Sequence, residues 1–177
     1  MVGEIRDKDT ADIAIKAALT GHRVLSTIHT NDAVSTVTRF LNMGIPPYLI
    51  ASSLTAIVAQ RLARKLCDSC RQIDEEITAQ NYRSMGFTHE EASRSRVYKG
   101  AGCDQCDGTG YSGRRGIYEV LTVTESVRQG ILGELTSSEL LKIAIGKDGF
   151  TTMQDMGRGL MVQGEISATE YQRVLLI

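Results

Sequence analysis

A chain of 177 residues, 42% hydrophobic and 23% charged with a net charge of −1, has the make-up of a globular protein of one domain, or one domain with a small satellite. The near-neutral balance excludes a global basic field suited to nucleic acid or an anionic membrane. No apolar run approaches the ~20 residues of a membrane span and the N-terminus has no signal-peptide pattern, so the chain reads as cytosolic, and its four cysteines as thiolate ligands rather than disulfides.

The chain opens MVGEIRD, a short apolar run ending in a carboxylate at Glu4. Asp9 or Thr10 is placed to cap a helix running to about Thr20, with Ile13/Ala17 and Ala14/Ala18 at i,i+4 and Gly21 as its stop. HRVLSTI then has the length and β-branched content of a strand, and it ends at His29. Asn31 or Asp32 caps a second helix with an apolar stripe of Val34, Val37, Phe40 and Leu41, closed by Gly44. Pro47 suits a first helical position, and the following VAQRLARK fits helix and strand equally. Strand–helix–strand–helix order predicts an α/β fold with a parallel sheet over residues 1–66.

Residues 67–113 lose the apolar periodicity, gain paired cysteines and are dense in glycine, which predicts a loop-rich module stabilised by a metal. From Arg114 the pattern is regular again. GIYEVLTV reads as a return strand, followed by three helix starts with capping-box spacing at Thr136/Glu139, Thr151/Gln154 and Ser167/Glu170. Residues 114–177 therefore read as a return strand and a C-terminal helical subdomain.

The strongest local signal is the pair of knuckles CDSC (Cys67, Cys70) and CDQC (Cys103, Cys106). Each CxxC turn directs two thiolates at one centre, and two knuckles complete a tetrahedron. Zn²⁺ suits four thiolates and leaves no open position for a substrate, so the role predicted is structural. CDQCDGTG also resembles one unit of the zinc domain of J-domain co-chaperones, but CDSCRQID lacks the glycines of that repeat.

Glu4 and His29 are each weak signals alone. Their joint placement, at the ends of two predicted strands separated by one helix, is what a βαβ unit would direct into one crevice beyond the strand ends. A carboxylate there can orient or deprotonate a water that attacks a γ-phosphate, and an imidazole can contact that phosphate.

VGEIRD, TADIAIKAALTGH, VLSTIHTND, AQRLARKLCDSC and GYSGRRGIYEV, in that order, resemble the secretion ATPases of type II secretion systems and type IV pilus assembly. The resemblance runs nearly the whole chain. It implies the C-terminal half of a RecA-like P-loop ATPase domain: a core over 1–66 carrying the Walker B strand and histidine box, a tetracysteine zinc module over 67–113, and the return strand and helical subdomain over 114–177. It makes Glu4 the catalytic base and His29 the γ-phosphate sensor, with Arg114 near the nucleotide and Asp7 a secondary group pairing with a cation or positioning water. It further implies ATP and Mg²⁺ as cofactors of a hexameric, cytoplasmic parent, docked peripherally at the inner membrane through platform proteins. Family members that retract pili generally lack the four cysteines, so assembly or secretion is expected rather than retraction.

One departure stands out. No GxxxxGK[ST] occurs in the 177 residues, so the phosphate-cradling loop is expected upstream, and the chain alone is expected to be inactive. The alternative is a non-catalytic, zinc-stabilised interaction or chaperone-like module. A nucleic-acid-binding zinc ribbon is excluded, because Asp68, Asp74, Glu75, Glu76, Glu90, Glu91, Asp104 and Asp107 outnumber the lysines and arginines of 67–113.

Overall fold

The computed structural model describes residues 1–176; Ile177, the last residue of the expected helical subdomain, lies outside it. The chain divides into two compact units, each assembled from two stretches: Met1–Ala59 with Glu119–Thr151, and Gln60–Tyr118 with Thr152 onward.

The first unit is mainly helical. Asp7, rather than Asp9 or Thr10, is the N-cap of α1 (Lys8–Leu19), its carboxylate accepting the Thr10 N–H at 2.9 Å. Asp7 has the extended backbone a cap requires, whereas Asp9 and Thr10 already lie within the helix. Asp32 caps α2 (Ala33–Asn42), which buries Val34, Val37 and Phe40 as its spacing predicts, while Leu41 is only partly buried. Pro47 opens α3 (Pro47–Ser53) at its first position. Farther along, α6 (Glu125–Leu132) packs on α3 and on α7 (Ser137–Asp148), and α7 also packs on α2. Ile5, Ile15, Val37, Phe40, Ile50, Leu121, Val127 and Leu140 belong to one buried cluster.

The two strands expected at 1–4 and 22–28 are not regular strands. The segments do run side by side in the same direction, joined by Val2 N–H to Leu25 C=O (3.0 Å) and Ile5 N–H to Thr27 C=O (2.9 Å). The donors are three residues apart and the acceptors two, so the register slips between the bonds and no repeating ladder forms. Val2, Val24 and Ile28 still face the core, partly buried.

VAQRLARK resolves as strand: β1 spans Ala56–Leu66 and pairs with β4 (Tyr111–Thr122) in a two-stranded sheet. Both strands pass from one unit to the other. A second small sheet, in the second unit, pairs β2 (Arg71–Ile73) antiparallel with β3 (Tyr98–Gly100).

Between β2 and β3 the expected loop contains two short helices, α4 (Ala79–Ser84) and α5 (His89–Arg94), each opened by a complete capping box, Thr78/Asn81 and Thr88/Glu91. Tyr82 and Phe87 meet edge to face with centroids 5.2 Å apart and are buried near Met85. The segment thus has a small apolar core of its own. In α8 (Met153–Val162) the cap is Thr152 with Asp155, one residue beyond the predicted Thr151/Gln154 pair. Ser167 caps α9 (Ala168–Leu175), but Glu170 does not close the box, since its carboxylate binds Arg64 and Arg173 instead. Among the described residues no helix is long and apolar enough to cross a membrane.

Candidate functional site

The irregular opening segment and the end of 22–28 bring the two predicted residues together. Glu4 Oε1 lies 2.9 Å from His29 Nε2, and Glu4 Oε2 lies 2.6 Å from the Arg6 guanidinium. Arg6 hydrogen-bonds the Glu4 carboxyl and, with His29 nearby, holds its pKa below the ordinary carboxylate value, so Glu4 is ionised at neutral pH. The imidazole is at contact distance but not aligned to donate. Oε1, shielded from solvent, makes no hydrogen bond among the described residues and keeps its acceptor capacity. The His29 side chain is 88% exposed, so packing does not hold it; its backbone does.

That backbone is tied at the start of α2. Asp32 accepts the Ser35 N–H at 2.7 Å, Thr30 and Thr36 share a hydroxyl hydrogen bond of 2.8 Å, and Thr36 donates to the Asp32 carbonyl at 3.2 Å. Glu119 of β4, only 4% exposed, accepts the Ala33 N–H with Oε1 at 2.5 Å. Beside these groups an open cleft of about 290 Å³ is lined by Thr30, Asn31, Ser35, Thr38, Arg39 and Ser137 among others. Glu119 was not singled out by the sequence reading, although alternation along GIYEVL sets it on the same face as Ile117 and Leu121.

Asp7 serves as the α1 cap, and the N–H of Thr10 keeps its pKa low. Arg114 is exposed on β4, in the second unit.

All four cysteines converge, with every Sγ within 4.8 Å of the others. The Sγ separations are 3.9 Å for Cys67–Cys103 and 3.8 Å for both Cys70–Cys106 and Cys103–Cys106. A tetrahedral ion with metal–sulfur bonds of about 2.3 Å requires sulfurs about 3.8 Å apart, which these three separations match. The Cys103 and Gly110 N–H groups point at Cys106 Sγ (3.3 and 3.2 Å) and bring its pKa down to about 6. Burial and the other three sulfurs push Cys70 up to about 11. Cys106 ionises readily while Cys70 resists, and a bound dication would favour the thiolate form of both.

Close backbone approach explains the glycines of this centre. A Cβ on Gly100 would lie 2.2 Å from the Gly110 carbonyl oxygen, and one on Gly102 would lie 2.6 Å from that of Gly108. Gly102, Gly108 and Gly110 also have positive φ.

The sequence reading also missed a buried charge cluster in the second unit. Glu170 is fully buried and accepts from the Arg64 backbone N–H (2.7 Å), the Arg64 guanidinium (2.8 and 3.0 Å) and Arg173 Nε (2.9 Å). Arg64 lies 4.1 Å above the Tyr111 ring, whose hydroxyl meets Ser167 at 2.8 Å.

A model of the type II/IV secretion system protein family matches residues 1–173. The type IV pilus assembly ATPase PilB of Pseudomonas aeruginosa is 45% identical over 174 residues, which cover 98% of this chain and 30% of that protein. Type II secretion system protein E of Aeromonas hydrophila is 44% identical over 174 residues, covering 98% and 34%. The chain thus spans about a third of the length of these relatives. In fold, it is similar to the pilus retraction motor PilT with bound ADP (TM-score 0.62, 22% identity, 97% of this chain and 37% of that one). It is likewise similar to the Legionella pneumophila ATPase DotB (TM-score 0.59, 22% identity, 97% and 36%). At that identity the likeness bears on the α/β fold alone.

Proposed function

The chain belongs to the type II/IV secretion system protein family, and from that premise we propose that it is the C-terminal part of a hexameric ATPase that powers type II secretion or type IV pilus assembly. The observation that carries this reading is the meeting of Glu4 and His29 at 2.9 Å. Glu4 is the general base: it is ionised, and Oε1 has capacity to accept a proton from water. His29, beside it and exposed, is the group that contacts the γ-phosphate of bound ATP. Asp7 and Arg114 are the further cofactor-side residues of this proposal, Arg114 through a fork that suits phosphate.

In the same reading the segments keep distinct tasks, with the Walker B strand and histidine box in 1–66, the metal module in 67–113 and the return strand and helices in 114–177. Cys67, Cys70, Cys103 and Cys106 hold a structural Zn²⁺, supported by the 3.8–3.9 Å sulfur spacings. ATP and Mg²⁺ belong to the longer protein, which works in the cytoplasm against inner-membrane platform proteins. The 177 residues contain no GxxxxGK[ST] loop, and we propose that they do not turn over ATP by themselves. A non-catalytic metal-stabilised module is not favoured, because the family match extends across 1–173 rather than the cysteine segment alone.

The test uses a longer protein that joins these residues to a phosphate-binding loop. Glu4→Gln keeps the size and removes the base. It is expected to lower kcat by about 100-fold or more while leaving ATP binding nearly unchanged. Hydrolysis at the wild-type rate would overturn the assignment.

A further inference from the structure

The His29 side chain is 88% exposed and meets Glu4 at 2.9 Å, so its placement depends on the backbone between His29 and the first turn of α2. Several contacts act on that stretch. Local ones include Asp32 to Ser35, Thr30 to Thr36, and the Ser35 and Thr36 hydroxyls to the Asp32 carbonyl. They shape the turn but move with it. Another comes from 86 residues away, where the buried Glu119 carboxylate takes the Ala33 N–H at 2.5 Å. Ala33 is the first residue of α2, and its N–H is one of the four that a helix leaves without an internal partner.

We infer that Glu119 is a positioning residue for His29: by holding the Ala33 N–H it anchors the 29–32 turn to β4 and keeps the imidazole at Glu4. A carboxylate at a helix N-terminus gains from both the charge-assisted bond and the helix dipole. A buried carboxylate is costly unless it is used, and a bland structural role would be served by an apolar residue on a face that also carries Ile117 and Leu121. The inference deepens the function proposed above, because it supplies the support of the residue assigned to the γ-phosphate.

The experiment is done on the 177-residue chain by NMR, so that it reads geometry rather than turnover. In the wild type, Glu4→Gln changes the ring ¹³C and ¹⁵N shifts of His29, because the carboxylate is 2.9 Å from Nε2. In a Glu119→Ala background that response is expected to vanish, and the Ala33 amide is expected to exchange about tenfold faster or more. The amide signals of the cysteine segment should stay in place. Glu119→Gln, which retains an acceptor of the same shape, should keep part of the response. A full His29 response to Glu4→Gln in folded Glu119→Ala would overturn the inference. Should Glu119→Ala fail to fold, a full response with an unchanged Ala33 exchange rate in Glu119→Gln would overturn it equally. Absence of ATPase activity in the longer wild-type protein would sink the proposed function and leave this coupling intact, so the two failures are distinguishable.

Discussion

Glu170 has no exposed surface and yet is charged. Burial alone would raise its pKa, but the hydrogen bonds from Arg173 and Arg64 overcome that and bring it to about 2, from an ordinary value of 4.5. A carboxyl whose folded-state pKa is depressed contributes stability that is fully present above the unfolded value and is lost as pH falls toward the folded one. The second unit is therefore expected to weaken between about pH 5 and pH 2, followed by near-UV circular dichroism of its buried tyrosines Tyr82 and Tyr171. Acid also protonates Cys106, so the comparison is with Glu170→Gln. That variant should start about 2 kcal/mol less stable and lose less of its stability over the same range. An identical acid profile in the two proteins would refute the assignment. The contrast among three glutamates shows what the sequence could reveal at this scale. Glu4 was legible because it ends an apolar run in a recognisable block. Glu170 was misread as the closing member of a capping box, since its true partners lie 106 residues away and three residues on. Glu119 carried a visible signal, a charge on an apolar strand face, but its partner at Ala33 is long-range.

The elements were legible where local chemistry decides them. Thr136 and Glu139 form the predicted capping box, and Asp32 was one of two candidates for the α2 cap. Where neighbouring residues offer the same chemistry the reading slipped, from Thr152 to Thr151 and from Asp7 to Asp9 or Thr10, because backbone geometry and not composition selects the cap. The helices α4 and α5 are too short for an apolar stripe, so only their caps could have disclosed them. The cysteine centre is the opposite case. Its two knuckles were plain in the sequence, but the reason for the surrounding glycines appears only when the backbones of Gly100 and Gly110 are seen to touch. Gly100→Ala should force those backbones apart and cost several kcal/mol, on the order of 3. Co²⁺ titration provides the readout: the variant is expected to bind far more weakly than the wild type, whose thiolate charge-transfer bands should indicate four sulfurs. Removing the metal with a chelator should melt β2, β3 and the knuckles, while the amide signals of α1, α2 and α7 persist. Unchanged affinity in Gly100→Ala would show that the close contact is not needed.

At the scale of the whole molecule the sequence order conceals how the chain is partitioned. Each unit draws on two separated stretches, because β1 and β4 are long enough to run from one unit into the other. Periodicity reports faces and ends of elements, not where a strand changes company. The irregular pairing of 2–5 with 22–28 has the same origin: a short apolar run and β-branched content predicted strands, and the slip between two hydrogen bonds is a tertiary outcome. What survives both effects is the meeting of Glu4 with His29, since it needs only that the two segments run alongside in one direction. The two side chains can therefore be aligned in a chain that contains no GxxxxGK[ST] loop. Most affinity for a triphosphate in P-loop proteins comes from backbone N–H groups and a lysine wrapped around the β- and γ-phosphates. Neither Glu4, an anion, nor a single imidazole replaces that cradle, and the anion repels the phosphates. Isothermal titration of the 177-residue chain with Mg-ATP should accordingly give no saturable heat at ~50 μM protein, a regime in which only Kd values well above the micromolar range escape notice. The longer protein should bind, and its Glu4→Gln form should bind equally and hydrolyse slowly. Micromolar binding by the short chain would mean that these residues form a phosphate site of their own, and the division of labour argued here, with grip outside the 177 residues and base and sensor within them, would have to be abandoned.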